Sequence, residues 1–445
     1  MMAALVSRLL KRGAGTAPAR VRSVELWSLE TVLRNGHVLT FSSMLTSALG
    51  ALYWALAAHS YSDDTVGRNY SAVAAMMLLA GAGQLNMTNM LIRFTPGAGF
   101  RSRRLVATAY LAACGSTTVL AVAFVFLIPA LSPGLMFLRH PLVACGFVVA
   151  TAGYAIFVLQ DGVLTGLRRP GWVVLENVVF ALVKIVLVVA LAFLAATGIL
   201  WSWALAVVVA IALANLLLFA RFLPRRGDPV RDDRADTSGP TGRYLVADWT
   251  AALFWLAATA SLPIIVLNRL GPRQAAYFSL AWLVAFSLYQ LNSNMGASLI
   301  VEAAHDPSQL GVHCRLVLRH TGVLLACGAA TLCAAAPLIL RIFGPEYARN
   351  GADLLRLTAV SALPNLVVVA AVSVCRAQRR LRLLMGILAT VCTLATVLSY
   401  VLLGVMGIAG VGAAWLVAQT TVAATLWWCR AHWLPGHQHA ADARG

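Results

Sequence analysis

The sequence predicts an all-α integral membrane fold of about twelve transmembrane helices, in two six-helix bundles related by a pseudo-twofold along the membrane normal. Three observations predict it. Of 445 residues, 60% are hydrophobic and 11% charged, with a mean hydropathy of +0.81, a composition far from that of a soluble globular chain. The apolar residues come in blocks of about 20 to 25, long enough at about 1.5 Å per residue to cross a hydrocarbon layer of about 30 Å. Charge falls mostly in the connections, and one long polar connection falls at the middle of the chain.

The first six spans are placed near 37–59, 70–92, 105–130, 142–165, 172–196 and 201–222. A second six follows near 244–267, 276–300, 316–340, 354–375, 381–405 and 407–429. Between the sets lies "LPRRGDPVRDDRADTSGPTGR", whose Pro, Gly, Asp and Arg content reads as a linker. The chain therefore divides into a basic tail 1–36, a bundle 37–222, a linker 223–243, a bundle 244–429 and a tail 430–445. The first tail lacks an apolar core of signal-peptide length, and its opening "MMAALVSRLL" reads either as a short amphipathic helix or as a disordered start.

Six spans per half put both halves in the membrane in the same orientation, so a duplication here is a parallel repeat. Two traces of it remain. "QLN" occurs at Gln84 to Asn86 and again at Gln290 to Asn292, and a double Arg follows the fourth span of each half in "VLTGLRRPGW" and "VCRAQRRLRL".

A formal charge of +18 on a soluble chain would point to nucleic acid, but here it is distributed by topology. The arginines cluster in alternate connections, as in Arg101, Arg103 and Arg104, then Arg225 to Arg234, then Arg376 to Arg382. The other side carries only scattered residues such as Arg68, Arg139, Arg273 and Arg341. By the positive-inside rule both termini are expected in the cytoplasm, and the expected location is the inner cell membrane. The eight cysteines form no CxxC pair and read as small buried hydrophobes, so neither a cofactor nor a metal site is expected.

Three stretches carry a family likeness. "AAHSYSDDTVGRNYSAV" follows span 1, "LIRFTPGAG" ends span 2, and "RIFGPEYARNGADLLRLTAVSALPN" joins spans 9 and 10. In this order they resemble the MOP superfamily of exporters, and within it the polysaccharide branch of Wzx-like O-antigen flippases and their lipid II relatives. The resemblance covers about residues 35 to 430 and implies a flippase that moves a polyprenyl-diphosphate-linked oligosaccharide by alternating access. It implies a cavity lined by helices 1, 2, 7 and 8, with membrane lipids, H+ or Na+, and polysaccharide polymerase or glycosyltransferases as further partners. Many members have fourteen helices; twelve are found here, so a site on an extra pair is absent.

Residue chemistry suggests where cargo binds. Arg34 and Arg93 flank the inner ends of helices 1 and 2, where a guanidinium can grip a diphosphate bidentately or simply anchor the helix to headgroups. Gln84, Asn86 and Asn89, with Gln290, Asn292 and Asn294, form two amide clusters suited either to sugar hydroxyls or to interhelical glue. Tyr53, Trp54, Trp249, Trp255 and Trp282 can stack on sugars or serve as belt and packing residues. Asp248 reads as a cavity acid or as a helix cap. Lys184 stands about 18 Å into helix 5, near the midplane. With Glu176 on the same face and Asp161 in helix 4, it is expected to form either an ion-coupling network or a structural ion pair.

Two other functional classes remain in view. A cation-coupled multidrug exporter of the MATE type would keep the fold and place a carboxylate deep in the cavity. A membrane glycosyltransferase or polymerase would need a catalytic loop, but the outer connections are short, and no phosphate loop or HExxH pair occurs.

Overall fold

A computed structural model describes residues 45–96, 98–167, 169–223, 242–305 and 310–434. Arg34, Arg168, the first tail, most of the central linker and most of the last tail lie outside these residues. Twelve long helices account for the expected spans. In the first half they are α1 (45–60), α2 (Asp63–Gly83), α3 (Ser102–Leu131), α4 (Pro141–Gly166), α5 (Pro170–Ala190) and α6 (Gly198–Leu217). The second half has α7 (Gly242–Leu270), α8 (Pro272–His305), α9 (Leu310–Leu340), α10 (Pro345–Ala377), α11 (Leu381–Met406) and α12 (Ile408–Trp428). No strand occurs among the described residues, because in lipid the backbone must satisfy its hydrogen bonds within each segment.

Local chemistry sets the ends. The Ser62 hydroxyl caps α2 by accepting from the Thr65 amide, and Asp63 and Asp64 fill the first turn, where the helix dipole favours negative charge. Pro141 and Pro345 open α4 and α10 at positions whose N–H would have no helical partner. Gly271, at φ +86°, makes the tight turn between α7 and α8 that a residue with a Cβ would strain.

The same neighbour relations occur in both halves. α4 packs on α2, α3 and α6, and its counterpart α10 packs on α8, α9 and α12; α5 pairs with α6 as α11 pairs with α12. The halves meet chiefly where α2 crosses α7 and α8. Outward faces are greasy: Leu111, Phe126, Phe193 and Val405 are each at least 70% exposed, as a lipid-facing surface requires. Cys145, Cys327 and Cys429 lie on such outer faces, so the reading of the cysteines as buried holds for Cys314 and Cys375 but not for these three.

Two sequence expectations change. Span 2 was placed at 70–92, but α2 begins at Asp63 and stops at Gly83. Leu85 and Asn86 then take left-handed backbone (φ 52° and 58°), and a separate short helix, Met87–Phe94, follows. The second "QLN" lies inside unbroken α8. The two amide clusters therefore do not share one local geometry; Asn tolerates the left-handed region unusually well, so the first one forms a break.

Candidate functional site

A cavity of about 540 Å³ lies between the two halves. Gly50 and Trp54 of α1 and Tyr70, Ala74, Met77 and Gly81 of α2 form one wall. Trp255, Thr259 and Pro263 of α7 face them, with Trp282, Phe286 and Gln290 of α8. The four helices implied by the resemblance do line it, but α4, α5 and α6 also contribute through Tyr154, Lys184 and Trp203. The walls are thus mostly aromatic, and the polar groups are few: Lys184, Gln84, Gln290, Thr259 and the tyrosine hydroxyls. No carboxylate is among the described lining residues.

Lys184 is buried, and its Nζ lies 4.6 Å from the Trp203 ring centroid, 4.8 Å from Phe180 and 5.0 Å from Tyr53. Such a box attracts a cation through the ring quadrupoles. Tyr53 is fixed for this role from behind: its hydroxyl donates to the Ile199 carbonyl (3.3 Å) and shares a 2.8 Å hydrogen bond with Ser202.

The expected network of Asp161, Glu176 and Lys184 does not close into ion pairs. None of the ion pairs between described residues includes Lys184. Lys184 turns to the rings of Tyr53, Phe180 and Trp203, while Glu176 lies eight residues earlier, about 12 Å of rise along α5. Glu176 instead lines a separate small cavity between α5 and α6, and neither of its buried carboxylate oxygens has a hydrogen-bond partner. Asp161 Oδ1 accepts from Asn177 Nδ2 at 3.5 Å.

The amide clusters separate in the same way. Gln84 and Gln290 reach the cavity, and Gln84 accepts from the Thr88 hydroxyl at 2.7 Å. Asn292 is fully buried away from it, its amide donating to the Ala362 carbonyl and to Asn365 Oδ1, both at 3.0 Å, while Asn365 donates to Gln419 Oε1 at 3.2 Å. This chain ties α8, α10 and α12 together, which is glue rather than a cargo surface. Asn86, Asn294, Arg93 and Trp249 are not among the lining residues; Arg93 lies over the Phe94 ring at 5.9 Å.

Asp248 does not cap a helix end; it lies within α7 and is bound on two sides. Arg376 Nε of α10 donates to Oδ1 at 3.1 Å, and Asn89 Nδ2 of the first half donates to Oδ2 at 3.4 Å. That contact joins the halves at the end of the molecule where the linker emerges. More bonds join them at the opposite end. The Tyr277 hydroxyl donates to Asp63 Oδ2 at 2.9 Å, Arg273 and Asp64 pair at 3.8 Å, and Asn268 accepts from the Ser132 hydroxyl and donates to the Leu131 carbonyl, both at 3.0 Å. Deeper between the halves, the Ser71 hydroxyl donates to the Pro263 carbonyl at 3.1 Å. A Cβ on Gly67 would collide with the Pro272 carbonyl and lie 2.8 Å from the Ala276 amide nitrogen, so glycine there permits α8 to lie against α2.

No protein-family model matches the chain, and no curated protein does. Solved structures do. An inward-facing multidrug resistance MATE family transporter of the MOP superfamily superposes with a TM-score of 0.63 at 14% identity, covering 88% of this chain and 98% of the other. The fold is that of the MATE transporters. An outward-facing structure of a multidrug resistance MATE family transporter gives 0.62 at 15% identity, over 91% of this chain and 96% of that one. So does a MOP superfamily transporter from Pyrococcus furiosus, described as having a binding pocket of reverse polarity, with 0.62 at 13% and the same coverage. The resemblance read in the sequence reached the superfamily whose fold this is; the polysaccharide branch has no counterpart among these three. Tyr70, Tyr154, Trp203 and Phe286 of the cavity wall were not singled out from the sequence. For Tyr154 the signal was there: an aromatic with a hydroxyl in mid-span lies far from the interfacial belts.

Proposed function

We propose that the chain is an exporter working by alternating access, with the central cavity as cargo site, and that it is of the cation-coupled multidrug kind. One observation carries this: an aromatic cavity receives walls from both halves, and the halves are hydrogen-bonded to each other at both of its ends. Rocking of one half on the other would then move the opening from one face to the other. The Arg excess puts the linker end in the cytoplasm. Aromatic faces suit an amphipathic cargo, and Gln84 and Gln290 supply donors and acceptors to orient it. Glu176 is assigned to H+ or Na+ uptake, since an unpartnered buried carboxylate binds a cation or proton readily, with Asp161 of α4 as its acidic neighbour. Purified protein in proteoliposomes should move a fluorescent cationic dye when a proton or sodium gradient is imposed, and lose this in Glu176→Gln. Dye movement indifferent to both gradients would sink the coupled mechanism.

Lys184 favours a second reading. An ammonium in a cavity without lining carboxylates attracts phosphate and repels a cationic dye. A polyprenyl-diphosphate-linked oligosaccharide would place its diphosphate near Lys184 and its sugars on the rings, with Arg93 toward the linker end and glycosyltransferases or a polymerase as partners. Under this reading, deletion of the gene leads to accumulation of lipid-linked glycan on the cytoplasmic face. Loss of drug resistance alone decides for the multidrug reading.

A further inference from the structure

A second cavity, of about 840 Å³, opens at the linker end between the start of α7 and the turn joining α10 to α11. Arg379, Arg380 and Arg382 line it, and no carboxylate is among its described lining residues. Its remaining wall is largely apolar, formed by Val246, Leu383 and Met385 among others.

The turn is built rather than loose. Arg379 holds left-handed backbone (φ 56°), and the Arg380 amide donates back to the Cys375 carbonyl at 2.8 Å. A non-glycine residue rarely adopts this region, and here it turns the chain within the segment that carries the three arginines. No side chain caps α11, so its first-turn N–H groups add their partial positive charge to the same place.

The depth of the cavity identifies the ligand class. Val246 lies about one turn into α7 and Leu381 opens α11, and both helices are long and apolar enough to cross a membrane. Both walls are therefore near the starts of apolar helices, where a span passes from water into hydrocarbon. A soluble anion would use the arginines and leave the apolar wall unused; a phospholipid uses both. We propose that this cavity binds the phosphate headgroup of an anionic phospholipid, with an acyl chain running along Val246, Leu383 and Met385. The proposal is independent of the cargo assigned to the central cavity.

The test uses the full chain, purified and exchanged into bilayer discs of equal phosphatidylglycerol and phosphatidylcholine, with retained lipid read by native mass spectrometry. The wild type is expected to retain phosphatidylglycerol preferentially. Replacing the three arginines by glutamine (R379Q/R380Q/R382Q) should lower that retention about tenfold or more, since each basic residue near an anionic headgroup strengthens binding about fivefold. Removing equal charge at the same end (R104Q/R315Q/R319Q) should leave it unchanged. Thr250→Trp, which fills the cavity and keeps the arginines, should also reduce retention, and a melting curve for each variant identifies any that fail to fold. The proposal falls if the wild type shows no lipid preference, if both arginine triples lose lipid equally, or if millimolar inorganic phosphate displaces the bound lipid, the last marking a soluble-anion site.

Discussion

The Lys184 ammonium lies 4.6 Å from the centroid of the Trp203 indole, at the edge of the central cavity. A desolvated cation–π contact contributes about 2 kcal/mol, whereas holding an ammonium inside a membrane protein without a counter-ion costs several. Stability alone gives no reason to keep this lysine. Lys184→Met is expected to melt at the same temperature as the wild type or slightly higher, while affinity for an anionic amphipath drops about tenfold. Calorimetric binding and a melting curve on the same preparation check it. A melting point lowered by more than about 5 °C would instead make Lys184 a structural residue.

Asp248 and Arg376 should be coupled in stability. Their side chains are 11% and 33% exposed and 3.1 Å apart, so deleting either leaves a partly buried charge without its partner. Asp248→Ala is expected to cost about 2 kcal/mol, and Asp248→Ala with Arg376→Ala less than the two single costs added together. A double-mutant cycle on thermal unfolding measures the difference, and simple additivity would show the pair to be energetically idle.

Much of this architecture was legible in the sequence, because lipid leaves the backbone few choices: apolar length located the spans. The helices around the cavity were harder to delimit. α2 carries Asp63, Asp64, Arg68 and Asn69 in its first turns, so a hydropathy reading moves its start to residue 70, and Gly81 and Gly83, just before the break at Leu85 and Asn86, are small apolar residues that such a reading passes over. Side-chain pairing was legible only within a helix. Eight-residue spacing put Glu176 and Lys184 on one face but could not show that Lys184 turns to the rings of α1 and α6. Arg376 lies 128 residues from Asp248, and nothing in composition pairs them. The amides illustrate the same limit: within one "QLNSN" run, Gln290 reaches the cavity and Asn292 the core, according to which face of α8 each occupies.

Gln290 and Asn292 should accordingly respond in opposite ways to alanine. Gln290 reaches the cavity, so Gln290→Ala is expected to lower cargo affinity several-fold at unchanged stability. Asn292 is bonded within the second half, so Asn292→Ala should cost about 0.6 to 1.7 kcal/mol of stability, the range of such contacts in membranes, with cargo affinity intact. An affinity loss in Asn292→Ala with no change in melting would return it to the cargo site.

Gly67 tests whether the end away from the linker opens and closes. The atoms a side chain at this position would meet are the Pro272 carbonyl and the Ala276 amide. Both are backbone, so they cannot yield by a rotamer change, and overpacking of this kind costs about 1 to 3 kcal/mol in the clasped state. Gly67→Val should therefore shift the population toward a state in which α2 and α8 have parted, breaking the Tyr277–Asp63 and Arg273–Asp64 contacts. Spin labels at positions 64 and 273, with the native cysteines replaced by serine, report the separation directly. The wild type should show a short distance with a minor long component, and Gly67→Val should make the long component dominant, since 2 kcal/mol changes a two-state ratio about thirtyfold. A single short distance in both proteins would mean that this end does not open, and the rocking mechanism would go with it.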